Sequence, residues 1–171
     1  MSLKNLLQKA LNELEWQGHI QHDDKDNTDY IKTSYLINNQ KYGLLIVVGE
    51  AVKTISLTVI SSIKIPYARI KEAAFVVNHL NYGLSFGNLE ISGDGDVYFR
   101  WGVDVEGSVP GTKQIYNLIS AAGSAFSEFR VGAIGDSAFT ELSGEKIVAD
   151  YEEVVSGQRK AKELESAQPE G

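Results

Sequence analysis

Leucines and alanines open the chain at helical spacing. Leu3, Leu6, Leu7, Ala10, Leu11 and Leu14 fall at i, i+3, i+4 and i+7, which predicts an amphipathic helix over residues 2–16 with Ser2 as its cap and Gly18 just past its end. Residues 19–29 are polar and aperiodic and predict a solvated loop. The period then drops to two. Tyr30 to Ile37 sets Ile31, Tyr35 and Ile37 on one side, and Lys41 to Gly49 is apolar on both sides, as a central strand is. In the third strand Ile55, Leu57, Val59 and Ile63 alternate with Thr54, Ser56, Thr58 and Ser62. The short connections, Asn38-Asn39-Gln40 among them, predict antiparallel hairpins.

Helical spacing returns behind Pro66, where Ile70, Ala73, Ala74, Val77 and Leu80 form a stripe that stops before Gly83. Leu84 to Ile91 and Val97 to Val105 predict a hairpin around Gly93-Asp94-Gly95-Asp96. In its second strand Val97, Phe99, Trp101, Val103 and Val105 face one way, and Tyr98, Arg100, Asp104 and Glu106 the other. After a loop over 107–111, Thr112 is placed to cap a third helix with Ile115, Leu118, Ile119, Ala122, Phe126 and Phe129 on one face. Gly123, Gly132 and Gly135 weaken that helix and predict a break after about Arg130. From Leu142 a charged, weakly periodic segment reads as helix to about Ala161, and Glu163 to Gly171 as disordered. The order α-β-β-β-α-β-β-α predicts an α+β protein, an antiparallel sheet with helices packed on one face. Its expected organisation is a single domain over residues 1–140 and an acidic extension over 141–171.

Asn78-His79-Leu80-Asn81 at the end of the second helix, with Phe86-Gly87-Asn88-Leu89-Glu90-Ile91 running through Asp94-Gly95-Asp96-Val97 to Phe99-Arg100, resembles the YbjN family over residues from about 30 to 140. That family looks like the type III secretion chaperones in fold, though not in sequence, so the resemblance implies their fold. It also implies a regulatory role, because family members are labelled sensory-transduction regulators. Secretion chaperones look like dimers that bind extended, partly unfolded segments, so a protein partner and a homodimer are implied as well. The marker residues have a plain structural reading too: the two Asn end a helix, Gly87 permits close approach, and Asp-Gly makes a hairpin.

Composition narrows the classes further. A chain of 171 residues fits one domain, and the lack of any cysteine excludes disulfides, thiolate catalysis and Cys-based zinc sites and fits a reducing compartment. Gln8, Lys9, Asn12 and Glu13 interrupt the apolar N-terminal segment, unlike a signal peptide, and Leu44 to Val48 is too short to span a bilayer, which takes about 20 residues. The expected location is the cytoplasm. Net charge is −7, and residues 141–171 carry eight acidic groups against four basic. No basic stripe is present, so neither nucleic acid nor an anionic membrane is an expected partner.

Candidate chemistry is sparse, and no catalytic residue, cofactor or metal is expected. Gly83-Leu84-Ser85-Phe86-Gly87 matches G-x-S-x-G, but a nucleophile elbow needs a strand before the Ser and a helix after it, and no His follows His79. His19 and His22, with Asp23, Asp24 and Asp26, form the one cluster with metal-ligand chemistry, and a metal-dependent enzyme using that loop is the least favoured reading. Asp94-Gly95-Asp96 lacks the further ligands of a calcium loop, and no phosphate-binding glycine motif occurs. Trp16 and Trp101 read as core. The favoured reading is a non-enzymatic, chaperone-like module that holds a polypeptide against its sheet face, at Tyr98, Arg100, Asp104 and Glu106, or in a groove beside the second helix. The alternative is an assembly or scaffold factor acting through the acidic tail from Glu141.

Overall fold

The computed structural model describes residues 2–13, 15–16, 18–106 and 110–166, the last five as backbone alone. Helix α1 (Leu3–Glu13) buries Leu3, Leu6, Leu7, Ala10 and Leu11, the stripe its spacing predicts. Ser2 caps it, its Oγ accepting from the Asn5 N–H at 3.2 Å. The polar stretch that follows is not simply a loop. Gln21–Asp23 forms a short strand, β1, paired antiparallel to the start of β2 (Thr28–Ile37). Three polar residues give no periodic signal, and the ladder supplied by β2 makes them a strand.

Strands β3 (Gln40–Gly49) and β4 (Thr54–Lys64) continue the meander. A single 3-10 turn (Tyr67–Arg69) behind Pro66 leads into α2 (Ile70–Tyr82), which buries Ala73, Val76, Val77 and Leu80; Ala74, expected in that stripe, is exposed. The hairpin strands are β5 (Asn88–Ile91) and β6 (Asp96–Asp104), so β5 starts four residues later than its apolar residues predict. The sheet order is β1-β2-β3-β4-β6-β5, antiparallel throughout, which places β3 in the interior as its two-sided apolar pattern requires.

Helix α3 (Thr112–Ala125) begins one residue after Gly111, whose N–H donates to Gln114 Oε1 at 2.8 Å, so Thr112 is its first residue and not its cap. The break comes at Phe126-Ser127, before the position the glycines predict, and α4 (Glu128–Phe139) runs through Gly132 and Gly135. Burial of Ala133, Ile134, Ser137 and Ala138 outweighs the weak helix propensity of those glycines. Helix α5 (Gly144–Ser166) extends five residues past Ala161; residues 167–171 lie outside the described residues. It docks on α2 and α4 through buried Ile147 and half-buried Val148 and Tyr151. The Gly144 N–H donates to Glu72 Oε2 at 2.6 Å, and Arg69 donates to the Leu142 carbonyl at 2.6 Å.

The five helices among the described residues lie on one side of the sheet. Their core is completed by Ile31, Leu44, Ile46, Val48, Ile55, Leu57, Val59, Val97 and Phe99, each at most 2% exposed. No described helix is long and apolar enough to cross a membrane.

Candidate functional site

The other side of the sheet is uncovered among the described residues. The pairing register assembles it in rows: Tyr30, Val47, Ser56 and Gly102; then Lys32, Leu45, Thr58, Arg100 and Asn88; then Ser34, Gly43, Ile60, Tyr98 and Glu90. Tyr30, Leu45, Val47, Ile60 and Tyr98 are all half-buried, held only by neighbours on their own face. The result is a continuous apolar belt edged by charge.

Of the four residues singled out on the sheet face, Tyr98 stands in this belt and Arg100 at its border. Tyr98 points its hydroxyl toward Asp96 Oδ2 at 3.4 Å, and Arg100 pairs diagonally with Glu90 Oε2 on β5 at 3.2 Å. Asp104 sits at the strand end opposite Thr54, and Glu106 lies beyond β6, where its N–H donates to Asp104 Oδ1 at 2.8 Å. The face therefore brings Tyr98 and Arg100 together with Glu90 and leaves Asp104 and Glu106 at one end.

The His19-His22 cluster is kept only in part: His22 Nε2 lies 3.6 Å from Oδ1 of the exposed Asp24. His22 Nδ1 lies 3.1 Å from Asp29 Oδ1, and the same oxygen accepts from Lys4 Nζ at 2.7 Å; His19 is exposed, before β1. The hydrogen bond from Lys4 does most to hold the Asp29 carboxyl below the usual carboxylate range, outweighing its burial, with a smaller contribution from His22. No group of three or more His, Asp or Glu able to hold a metal ion occurs among the described residues. Ser85 is exposed, between a helix and a strand, and His79 is turned to Glu152 Oε1 at 2.7 Å.

On the helix-covered side a groove of about 490 Å³ runs between β6 and α3. Trp101, Val103 and Val105 form its floor, Asn117 and Ala121 its wall, and Phe86 stacks on Trp101 with centroids 5.0 Å apart. Trp101 is thus half-buried at a groove, where alternation alone placed it in the core. This groove is not the one anticipated beside α2, and its sequence signal was limited to the apolar residues at its floor.

The sequence profile of a family described as "Putative bacterial sensory transduction regulator", YbjN, matches residues 4–131. The chain belongs to the YbjN family. The match begins inside α1 and so takes in elements that the marker residues left out. A chain of the HopA1-SchA chaperone-effector complex is similar to this YbjN chain at 19% identity, covering 69% of this chain and 84% of that one, with a TM-score of 0.41. No curated protein matches it.

One of the family-like residues in this YbjN chain, Asn81, does a different job from ending its helix, while Gly87 permits the close approach expected of it. Asn81 reaches across to β5, its Nδ2 donating to the Leu89 carbonyl at 2.9 Å and its Oδ1 accepting the Leu89 N–H at 2.7 Å. Gly87 has φ of +69°, and a Cβ there would lie 2.5 Å from the Phe99 ring and 2.9 Å from the Arg100 carbonyl oxygen. Together they fix where β5 begins.

Proposed function

We propose that this chain is a non-enzymatic regulatory module of the cytoplasm that binds another polypeptide on the open face of its sheet and acts as a homodimer. One observation carries the reading: five half-buried apolar side chains, Tyr30, Leu45, Val47, Ile60 and Tyr98, form a belt that no described helix covers. Contiguous apolar surface rimmed by polar residues is the mark of an interaction site. Here Arg100 and Glu90 stand at one border and Lys32 at the other, and such rim charges select partners more than they add affinity. The regulatory part of the reading follows the family description.

Alanine at both Tyr98 and Arg100 tests it. Neither side chain is in the core, and the exposed Arg100–Glu90 pair contributes only about 0–1 kcal/mol, so the fold survives. Capture of the full chain from its own cell extract, read by mass spectrometry, is expected to recover a specific polypeptide that the double variant loses. Recovery of the same polypeptides by both proteins would remove the open face from the account.

A further inference from the structure

Strand β5 pairs with β6 only from Val97 to Arg100. From Trp101 to Asp104, β6 has β4 on one side and no described strand on the other. Successive residues of a regular antiparallel strand aim their N–H and C=O groups to opposite sides. The Asp96 carbonyl accepts from Ser92 on the β5 side, and the Val105 N–H donates to the Lys53 carbonyl on the β4 side. The alternation turns the backbone groups of Gly102 and Asp104 to the unpaired edge. Gly87 is what leaves that edge open, because its positive φ takes the chain out of the line of β5 before it reaches Gly102, and puts Phe86 on Trp101 instead. An unpaired edge is a template for a further strand, and here the β6–α3 groove runs directly beside it.

We propose that edge and groove form one site, which takes an extended segment of another polypeptide as an added strand. Its apolar side chains at alternate positions fill the groove, and a basic residue lies beside Asp104. This rests on the polypeptide-binding reading and deepens it, giving the module a second surface on the other side of the sheet. Charge selects the occupant. Asp104 is the one charged residue among the described residues that line the groove, and Glu106 follows it. Edge-to-edge pairing with a second copy would put two Asp104 carboxylates on one short ladder, where like charges destabilise. Residues 167–171, Ala-Gln-Pro-Glu-Gly, hold no basic residue, are interrupted by Pro and lack alternating apolar positions.

The test selects binders from a displayed library of random twelve-residue peptides on the full-length protein, then measures the selected peptides by calorimetry. Expected sequences alternate apolar residues and carry Lys or Arg. Asn117→Trp, an exposed position on the groove wall, and Asp104→Lys should each weaken binding about tenfold or more, while Tyr98→Ala with Arg100→Ala leaves it within about twofold. Bound peptide should also slow hydrogen exchange at the Gly102 and Asp104 amides. A library without binders overturns the site. So do peptides indifferent to Asn117→Trp that leave those amides unprotected; if they are instead lost with the Tyr98 and Arg100 substitutions, the open-face reading stands and the groove falls.

Discussion

Asn81 does with one side chain what a neighbouring strand does with its backbone, satisfying both the N–H and the C=O of Leu89. Removing it leaves two backbone groups without partners beside a residue only 2% exposed, so Asn81→Ala is expected to cost about 1–3 kcal/mol, read by urea denaturation. Asp29 makes a second test at this scale. Its carboxyl is held low chiefly by Lys4, so the charged form favours the folded state. That stabilisation is complete above the usual carboxylate range and is lost as pH falls through the depressed folded value. Asp29→Asn should therefore be less stable than wild type at pH 7 and close the gap on acidification below about pH 4, as denaturation curves at the two pH values would show. An unchanged gap would mean that the Lys4 contact does not act through charge.

At the scale of elements, α5 is the telling case. Its sequence is charged and weakly periodic, yet Ile147 is 2% exposed and Glu72 receives the N–H of its first residue. Ile147→Ala should destabilise the whole protein by about 2–5 kcal/mol in a single transition, whereas a separate early transition would make α5 an independent appendage. The same contrast between local and distant causes explains what could be read in the sequence. Strands β2, β3, β4 and β6 were legible because alternation is written in their own residues. Strand β1 was not, because Gln21–Asp23 is a strand only by pairing with β2. The start of β5 depends on Gly87 and on Asn81 from another element, and the α3–α4 break falls at Phe126-Ser127, where no glycine marks it and Ser127 makes no side-chain cap bond. Tyr98 and Arg100 could be placed on a polar face by counting alternate residues. Their pairing with Glu90 required the β5–β6 register, and the groove required the turn at Gly87.

For the whole molecule, the decisive feature is that, among the described residues, five helices cover one side of a six-stranded sheet and leave the other open. A homodimer, as proposed, would give twice the chain's mass in light scattering at micromolar concentration; a single-chain mass there would withdraw the dimer and leave the binding claim in place. That claim is tested most directly by photocrosslinking in the cell of origin, with a photoreactive benzoylphenylalanine at Tyr98 on the open face and, as control, at Tyr67, which is 89% exposed in the turn before α2. The account predicts a discrete polypeptide adduct from Tyr98 that Tyr67 does not give. Adducts identical at the two positions, or none from Tyr98, would contradict it.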